Sequence, residues 1–410
     1  MPGTVVALGV VSLLNDLSSE MIFPLLPIFL AGTLGAGAVA LGAVEGAAEA
    51  ASSLLKLVFG AVSDRVRRRK PWLVVGYALA GVARPLIALA AAWPQVLALR
   101  LADRAGKGVR TAPRDALIAD ATPADRRGRA FGFHRAMDHA GAVAGPLAAA
   151  GLLAVGVTLR NVFLLAAVPA AAALAVLALA VREGRRRPGE DEPAEGAAVG
   201  GAPGLRPAAA WRRLAGPYRR LLAALVVFTL GNSTDAFLLL RLHEAGLAAG
   251  WVAALWSLHH VVKLAFAWAG GVWSDRRGRR PAMLAGWAVY AAVYLGFAAV
   301  ASLGWLIALF VVYGLYYGLT EPVEKAWVAD LAPADLRGTA LGLYHAAVGV
   351  AALPASLVFG WLWMRFGAAA AFGVGAALAG VAAAMLLAVG GSDRIGRPPD
   401  GAEPAARSTA

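Results

Sequence analysis

Runs of about twenty apolar residues, each long enough to cross a bilayer as a helix, recur along the whole of this chain. Twelve fit, near residues 4–31, 38–62, 72–92, 94–120, 129–155, 161–182, 218–241, 249–274, 281–302, 304–330, 338–362 and 367–389. The mean hydropathy is +0.66 and only 15% of the 410 residues are charged, less than a soluble domain carries. In hydrocarbon every backbone polar group must be satisfied within the protein, so the expected fold is an all-α membrane protein of twelve transmembrane helices. The first segment lacks a basic leader and carries Asn15, Asp16 and Glu20, and it reads as a retained helix rather than a cleaved signal. The chain has no cysteine, which excludes disulfides and thiolate metal sites.

The loops alternate in charge. The 2–3 loop holds Arg65, Arg67, Arg68, Arg69 and Lys70, the 4–5 loop Arg126, Arg127 and Arg129, and the 8–9 loop Arg276, Arg277, Arg279 and Arg280. The 1–2, 3–4 and 9–10 loops hold no Lys or Arg. By the positive-inside rule both termini are expected in the cytoplasm, in a plasma membrane of the bacterial inner-membrane type. The net charge of +13 is then a topology signal and not a nucleic-acid surface.

Two halves repeat. Gly60-x-x-x-Asp64-Arg65 recurs as Gly271-x-x-x-Asp275-Arg276, and residues 97–150 align without a gap to the chain 210 residues further on. There Asp120, Gly108 and Gly132 become Asp330, Gly318 and Gly342. The expected organisation is an N-terminal six-helix bundle at 1–182, a cytoplasmic linker at 183–217, a C-terminal bundle at 218–391 and a tail at 392–410. The linker and tail are rich in Arg, Glu, Pro, Gly and Ala and cannot build a core. Trp211 and the nearby arginines read as an interfacial lead-in to span seven. Two similar bundles imply a pseudo-two-fold axis along the membrane normal with a site between them.

Within this apolar frame, span four is anomalous. It carries Arg100, Asp103, Arg104, Lys107, Arg110, Arg114 and Asp115, which fall within about 140° of a helical wheel. A charge at mid-bilayer costs about 2.5–3.5 kcal/mol or more, so this face must look into protein or into a wet cavity. A ladder that only ties helices together is the plain alternative, with Asp138 of span five as the expected partner of the cations. In the shifted frame Arg104, Lys107 and Arg110 become Gly314, Tyr317 and Thr320. The charged arc is therefore not part of what both halves need in order to fold.

The 8–9 loop, Gly271-Val-Trp-Ser-Asp275-Arg276-Arg277-Gly278-Arg279-Arg280-Pro281, resembles the signature loop of the major facilitator superfamily. The 2–3 copy keeps Gly60, Asp64, Arg65 and Arg68 but has Arg67 where Gly is usual. The resemblance implies that Gly60, Asp64, Arg65, Arg68, Gly271, Asp275, Arg276 and Arg279 form a conformational latch on the cytoplasmic side. In span five, the spacing of Gly132, Gly141 and Gly145-Pro146 is similar to the antiporter motif of the superfamily's drug exporters, with Ala149-Ala150 in place of its final glycine pair. Arg104-x-x-Lys107-Gly108 is similar to a family motif associated with proton handling, with Lys in place of Gln.

These resemblances imply a secondary transporter working by alternating access, expected to export a small drug-like or amphipathic molecule against proton entry. A symporter or exchanger of organic anions is the second reading, because the span-four arc is net positive. A non-transporting membrane sensor or scaffold is a distant third. The expected cavity residues are Asn15, Asp16, Glu20, Arg100, Asp103, Arg104, Lys107, Arg110, Asp138, Asn232, Asp235 and Glu321. Carboxylates in dry surroundings can carry protons, which puts forward Asp16, Glu20, Glu49 and Asp138. No histidine cluster has metal-ligand spacing, no nucleotide-binding loop or nucleophile constellation occurs, and the chain is expected to be a monomeric non-enzyme without cofactor. Its expected partners are a small-molecule substrate, protons and lipid.

Overall fold

The computed structural model describes residues 1–63, 69–123, 127–181, 211–214, 216–333 and 336–389. The expected latch residues Asp64, Arg65 and Arg68, most of the linker and the tail lie outside them. Twelve helical spans follow one another: α1 (Gly3–Thr33), α2 (Ala38–Ser63), α3 (Lys70–Leu89), α4 (Trp93–Asp120), α5 (Arg127–Ala154), α6 (Leu159–Ala180), α7 (Gly216–Glu244), α8 (Ala249–Arg277), α9 (Arg279–Ala299), α10 (Leu303–Leu331), α11 (Arg337–Phe366) and α12 (Ala368–Leu387). They lie within a few residues of the expected spans. Ten are long and apolar enough to cross a membrane; α4 and α5, which carry the charged arc and its neighbours, are not.

The first helix of each half is broken. The regular part of α1 ends at Glu20, and Pro24 and Pro27, which lack a backbone donor, force a 3₁₀ turn and a π-turn before Thr33. α7 stops at Gly231 and restarts at Ala236. Packing obeys the repeat: α1 lies on α5 and α6, α3 on α4 and α6, and α2 on α4, while α7 lies on α11 and α12, α9 on α10 and α12, and α8 on α10. Adding six to each helix number of the first set yields the second, as a pseudo-two-fold axis requires. The halves meet mainly through α2 against α11 and α5 against α8, which the same rule exchanges.

Shared residues do the same work twice. Gly108 brings α4 onto Leu55 of α2, and Gly318 brings α10 onto Phe266 of α8; an added Cβ would lie 2.6 and 2.5 Å from those side chains. Arg69 pairs with Asp120, and Arg279 with Asp330 at 3.1 Å. The repeated Ala-Asp element at the end of α4 and α10 is thus the anchor of the loop arginine in each half. Arg279 also binds Asp275 at 2.5 Å, while Asp275 is largely exposed. Gly278 takes φ +96°, a conformation that favours glycine, so α9 can start one residue after α8 ends. Trp211 and Arg212 accept hydrogen bonds from Arg219, whose guanidinium lies over the Trp211 ring, so the lead-in docks on the start of α7.

The seam between α2 and α11 is backbone against backbone. A Cβ at Gly42 would fall 2.2 Å from the Ser356 carbonyl oxygen. Such close approach is how helices associate where no hydrophobic effect drives them together. Gly42→Ala is expected to destabilise the protein by about 1–3 kcal/mol through overpacking. Gly373→Ala, whose Cβ meets nothing within 4 Å, is expected to leave stability unchanged or slightly raised. Thermal unfolding followed by tryptophan fluorescence checks both.

Candidate functional site

Small residues of α5 form the bed on which the acidic side of α1 rests. A Cβ at Gly141 would lie 2.4 Å from the Leu13 carbonyl oxygen and 3.1 Å from Asp16 Cβ. At Gly145 it would lie 2.6 Å from the Leu17 carbonyl oxygen and 2.9 Å from Glu20 Cβ. The antiporter-like spacing therefore fits α5 to the two turns of α1 that bear the carboxylates. Gly132 differs, because its Cβ position is open. Pro146, one residue beyond Gly145, cannot donate to the preceding turn.

The charged face of α4 divides in two. Asp103 is fully buried; its Oδ1 accepts from Arg84 Nε at 2.8 Å and its Oδ2 from Arg100 at 3.3 Å. Arg100 also grips both oxygens of Glu45 at 2.8 and 3.0 Å, and Arg84 reaches the backbone and side-chain oxygens of Asn15 at 3.0 Å. Asn15, Glu45, Arg84, Arg100 and Asp103 thus form a buried network across α1 to α4. Here the ladder reading applies. Breaking such a pair strands a charge in a dry interior.

Among the described residues Asp138 does not pair with Arg100, Arg104 or Arg110. It accepts from Ser12 and lies 3.6 Å from His134 and 4.0 Å from Arg135. Glu45 and Asp103 balance Arg100, and Asp103 is also held by Arg84 of α3, which the sequence reading passed over. Its signal was present: Arg84 is the one charged residue in an otherwise apolar run after Lys70.

Further along the α4 face, Arg104 and Arg110 are loosely paired. Arg104 makes one ion pair among the described residues, to Asp103 at 4.0 Å, and its buried Nε has no hydrogen-bond partner. Lys107 is half-buried one turn on. Arg110 is buried against α3, with the Gly76 carbonyl oxygen at 3.4 Å and the Tyr77 ring centre at 4.5 Å. Asp16 accepts from Asn15 at 2.9 Å. Glu49 lies exposed one turn beyond Glu45.

Two clusters join the halves. Glu20 accepts a 2.9 Å bond from Trp256 Nε1 of α8 and lies 3.8 Å from His260 Nε2, while Trp256 packs on Phe23 at 5.1 Å. Glu321 of α10 pairs with Lys263 at 3.0 Å, Lys325 at 3.2 Å and, across the seam, Arg135 at 3.7 Å. The C-terminal wall is aromatic. Asp235 accepts from the Tyr313 and Tyr317 hydroxyls at 2.8 and 3.1 Å, and Asn232 donates to the Tyr316 hydroxyl at 3.1 Å. Lys263 lies 4.2 Å above the Tyr317 ring, and His259 stacks between Trp256 and Tyr313. Tyr317 stands where the N-terminal half has Lys107, and Tyr313 and Tyr316 stand where it has Asp103 and Gly106, so equivalent positions carry different chemistry on one scaffold. Sequence placed Asn232 and Asp235 without revealing that hydroxyls of α10 enclose them.

Arg84→Ala is expected to lower stability by about 3–5 kcal/mol, because Asp103 is left buried with half its pairing gone. Arg104→Ala is expected to shift it by less than about 1 kcal/mol, and Asp138→Asn is expected not to rescue Arg84→Ala. Scanning fluorescence on the purified variants decides.

The family model described as Major Facilitator Superfamily matches residues 8–247 and 241–409. An uncharacterized MFS-type transporter of Methanocaldococcus jannaschii is 34% identical over 387 residues, which is 93% of each chain. A multidrug resistance protein, MdtH of Photorhabdus laumondii, is 34% identical over 163 residues, 38% of this chain and 40% of that one. Among solved structures, the nucleoside transporter NupG superposes with TM-score 0.77 at 13% identity, covering 94% of this chain and 98% of that one. A bacterial homolog of the human lysosomal transporter Spinster, inward-facing and unoccupied, does so with TM-score 0.71 at 16% identity, covering 94% of each; both likenesses concern the fold alone. With twelve helices in two pseudo-symmetric bundles and a family match spanning nearly its whole length, this chain belongs to the major facilitator superfamily of membrane transporters.

Proposed function

We propose that the protein is a proton-coupled secondary transporter that exports a small amphipathic molecule by alternating access. One observation carries the reading: Glu20, seated on Gly145 of α5, reaches across the seam to Trp256 and lies beside His260 of α8. A carboxylate accepts a charge-assisted bond about twice as strong as a neutral one. Protonating Glu20 weakens this tie between the halves, and deprotonation restores it. A shift of a few kcal/mol suffices to move a two-state equilibrium from one side to the other. Asp16, one turn away on the same α5 bed, is the second candidate carrier. The partial match to a multidrug resistance protein supports the exporter direction. An amphipathic cargo is supported by the combination of incompletely bonded cations on α4 with tyrosines on α10.

In liposomes, accumulation driven by an imposed pH gradient is expected to be lost in Glu20→Gln while substrate exchange at equal pH persists. Undiminished accumulation in both Glu20→Gln and the Asp16→Asn double variant overturns the coupling role. Asp275→Asn, which removes one acceptor of Arg279, is expected to slow transport severalfold at normal expression.

The same reading places the basic loops, both termini and the 183–217 linker in the cytoplasm of an inner-membrane-type bilayer, with a bundle on either side of the linker. A reporter fused after Ala197 is expected to be active only if it is a cytoplasmic type. Activity of a periplasmic reporter there reverses the topology.

A further inference from the structure

We infer that the cargo is an organic anion with an apolar body, its acid group held on Arg104; this deepens the secondary-transporter reading above and rests on it. The inference comes from pairing. Three guanidinium groups on α3 and α4, those of Arg84, Arg100 and Arg104, share contacts with two carboxylates, Glu45 and Asp103. Glu45 gives both oxygens to Arg100. Asp103 gives one oxygen to Arg84 at 2.8 Å and the other to Arg100 at 3.3 Å. Arg104 is left with a 4.0 Å approach to Asp103 and a buried Nε that meets no acceptor. Arg110 makes no ion pair among the described residues and has only a 3.4 Å carbonyl contact and the Tyr77 ring. The acidic groups of α1 already hold donors, Asp16 from Asn15 and Glu20 from Trp256.

The fold does not require these cations. At the equivalent positions of the C-terminal half, Gly314 packs on Val262 and Thr320 packs on Gly286, as Arg110 packs on Gly76. Both half-bundles close, one with arginines and one without. A guanidinium is a planar fork of donors matched to carboxylate, sulfonate and phosphate oxygens. An anionic group at Arg104 supplies the acceptor its Nε lacks, whereas a cation placed there meets like charge. The apolar body has its surface one turn away, where the Arg100 guanidinium lies 5.8 Å from the Phe23 ring and Phe23 packs on Trp256 at 5.1 Å.

The test uses the full chain in nanodiscs and one ring system in four charge states: 1-naphthoate, 1-naphthalenesulfonate, 1-naphthamide and 1-naphthylmethylammonium. Thermal unfolding is followed by tryptophan fluorescence. The two anions are expected to raise Tm in a dose-dependent way, and the amide and ammonium are not. Arg104→Gln is expected to loosen the anions at least tenfold, and Arg104→Lys to weaken them while keeping the preference for anions. The wild-type charge series stands by itself if a variant fails to fold. An ammonium response as large as the anion response, no response to either anion, or an unchanged anion response in Arg104→Gln overturns the inference. Liposome transport of the same four compounds separates this from the coupling reading. Gradient-driven movement of the ammonium alone leaves the transporter standing and removes the anion site. Anion binding with no gradient-driven movement of any compound leaves the site standing and removes the coupled exporter.

Discussion

The N-terminal half is organised around one buried carboxylate. Asp103 has no access to solvent, so its charge has to be balanced within the protein, and Arg84 and Arg100 do so from two helices. Arg84 extends the network to α1 through Asn15, and Arg100 extends it to α2 through Glu45. Four helices are thereby held in one register. Ion pairs of this kind gain little over an apolar core but are expensive to break. They specify an arrangement more than they stabilise it. Because the acceptors are consumed there, Arg104 is left incompletely paired.

Close packing by small residues is the second constraint, and it serves both halves alike. Gly108 and Gly318 seat α4 and α10, Gly42 and Gly360 bring α2 and α11 together across the seam, and Gly141 and Gly145 fit α5 to α1. Lipid tails are as apolar as side chains, so these helices are held by contact and by polar groups rather than by exclusion from water. Where Gly141 and Gly145 bring α5 against Asp16 and Glu20, the same packing positions titratable groups. A motif of small residues then has chemical content, although none of its members is reactive.

The pseudo-symmetry separates scaffold from chemistry. Arg69 with Asp120 and Arg279 with Asp330 are one interaction made twice, at the same sequence separation in each half. The α4 cations and the α10 tyrosines are made once each. The two halves thus diverge in chemistry at equivalent positions while sharing one scaffold. Glu20 and Glu321 are each bonded to the opposite half.

Much of this was legible in the sequence. The apolar runs determined ten of the spans, because hydrocarbon admits only segments that satisfy their own backbone, while the charged α4 and α5 fall short of that apolarity. The repeat determined the symmetry, since the same spacing of Gly and Asp recurs about 210 residues on. The charged arc of α4 was visible because 3.6-residue periodicity is a local property. Partners were not legible, since a pair such as Arg84 with Asp103 depends on how α3 rotates against α4, and rotation is settled by contacts all along both helices. The same holds for Asp138, which belongs to Ser12 and His134, and for the tyrosines around Asp235. Sequence alone determined which charges enter the membrane; only the tertiary structure decided which of them are paired, because pairing is a matter of distances between helices that no local pattern encodes.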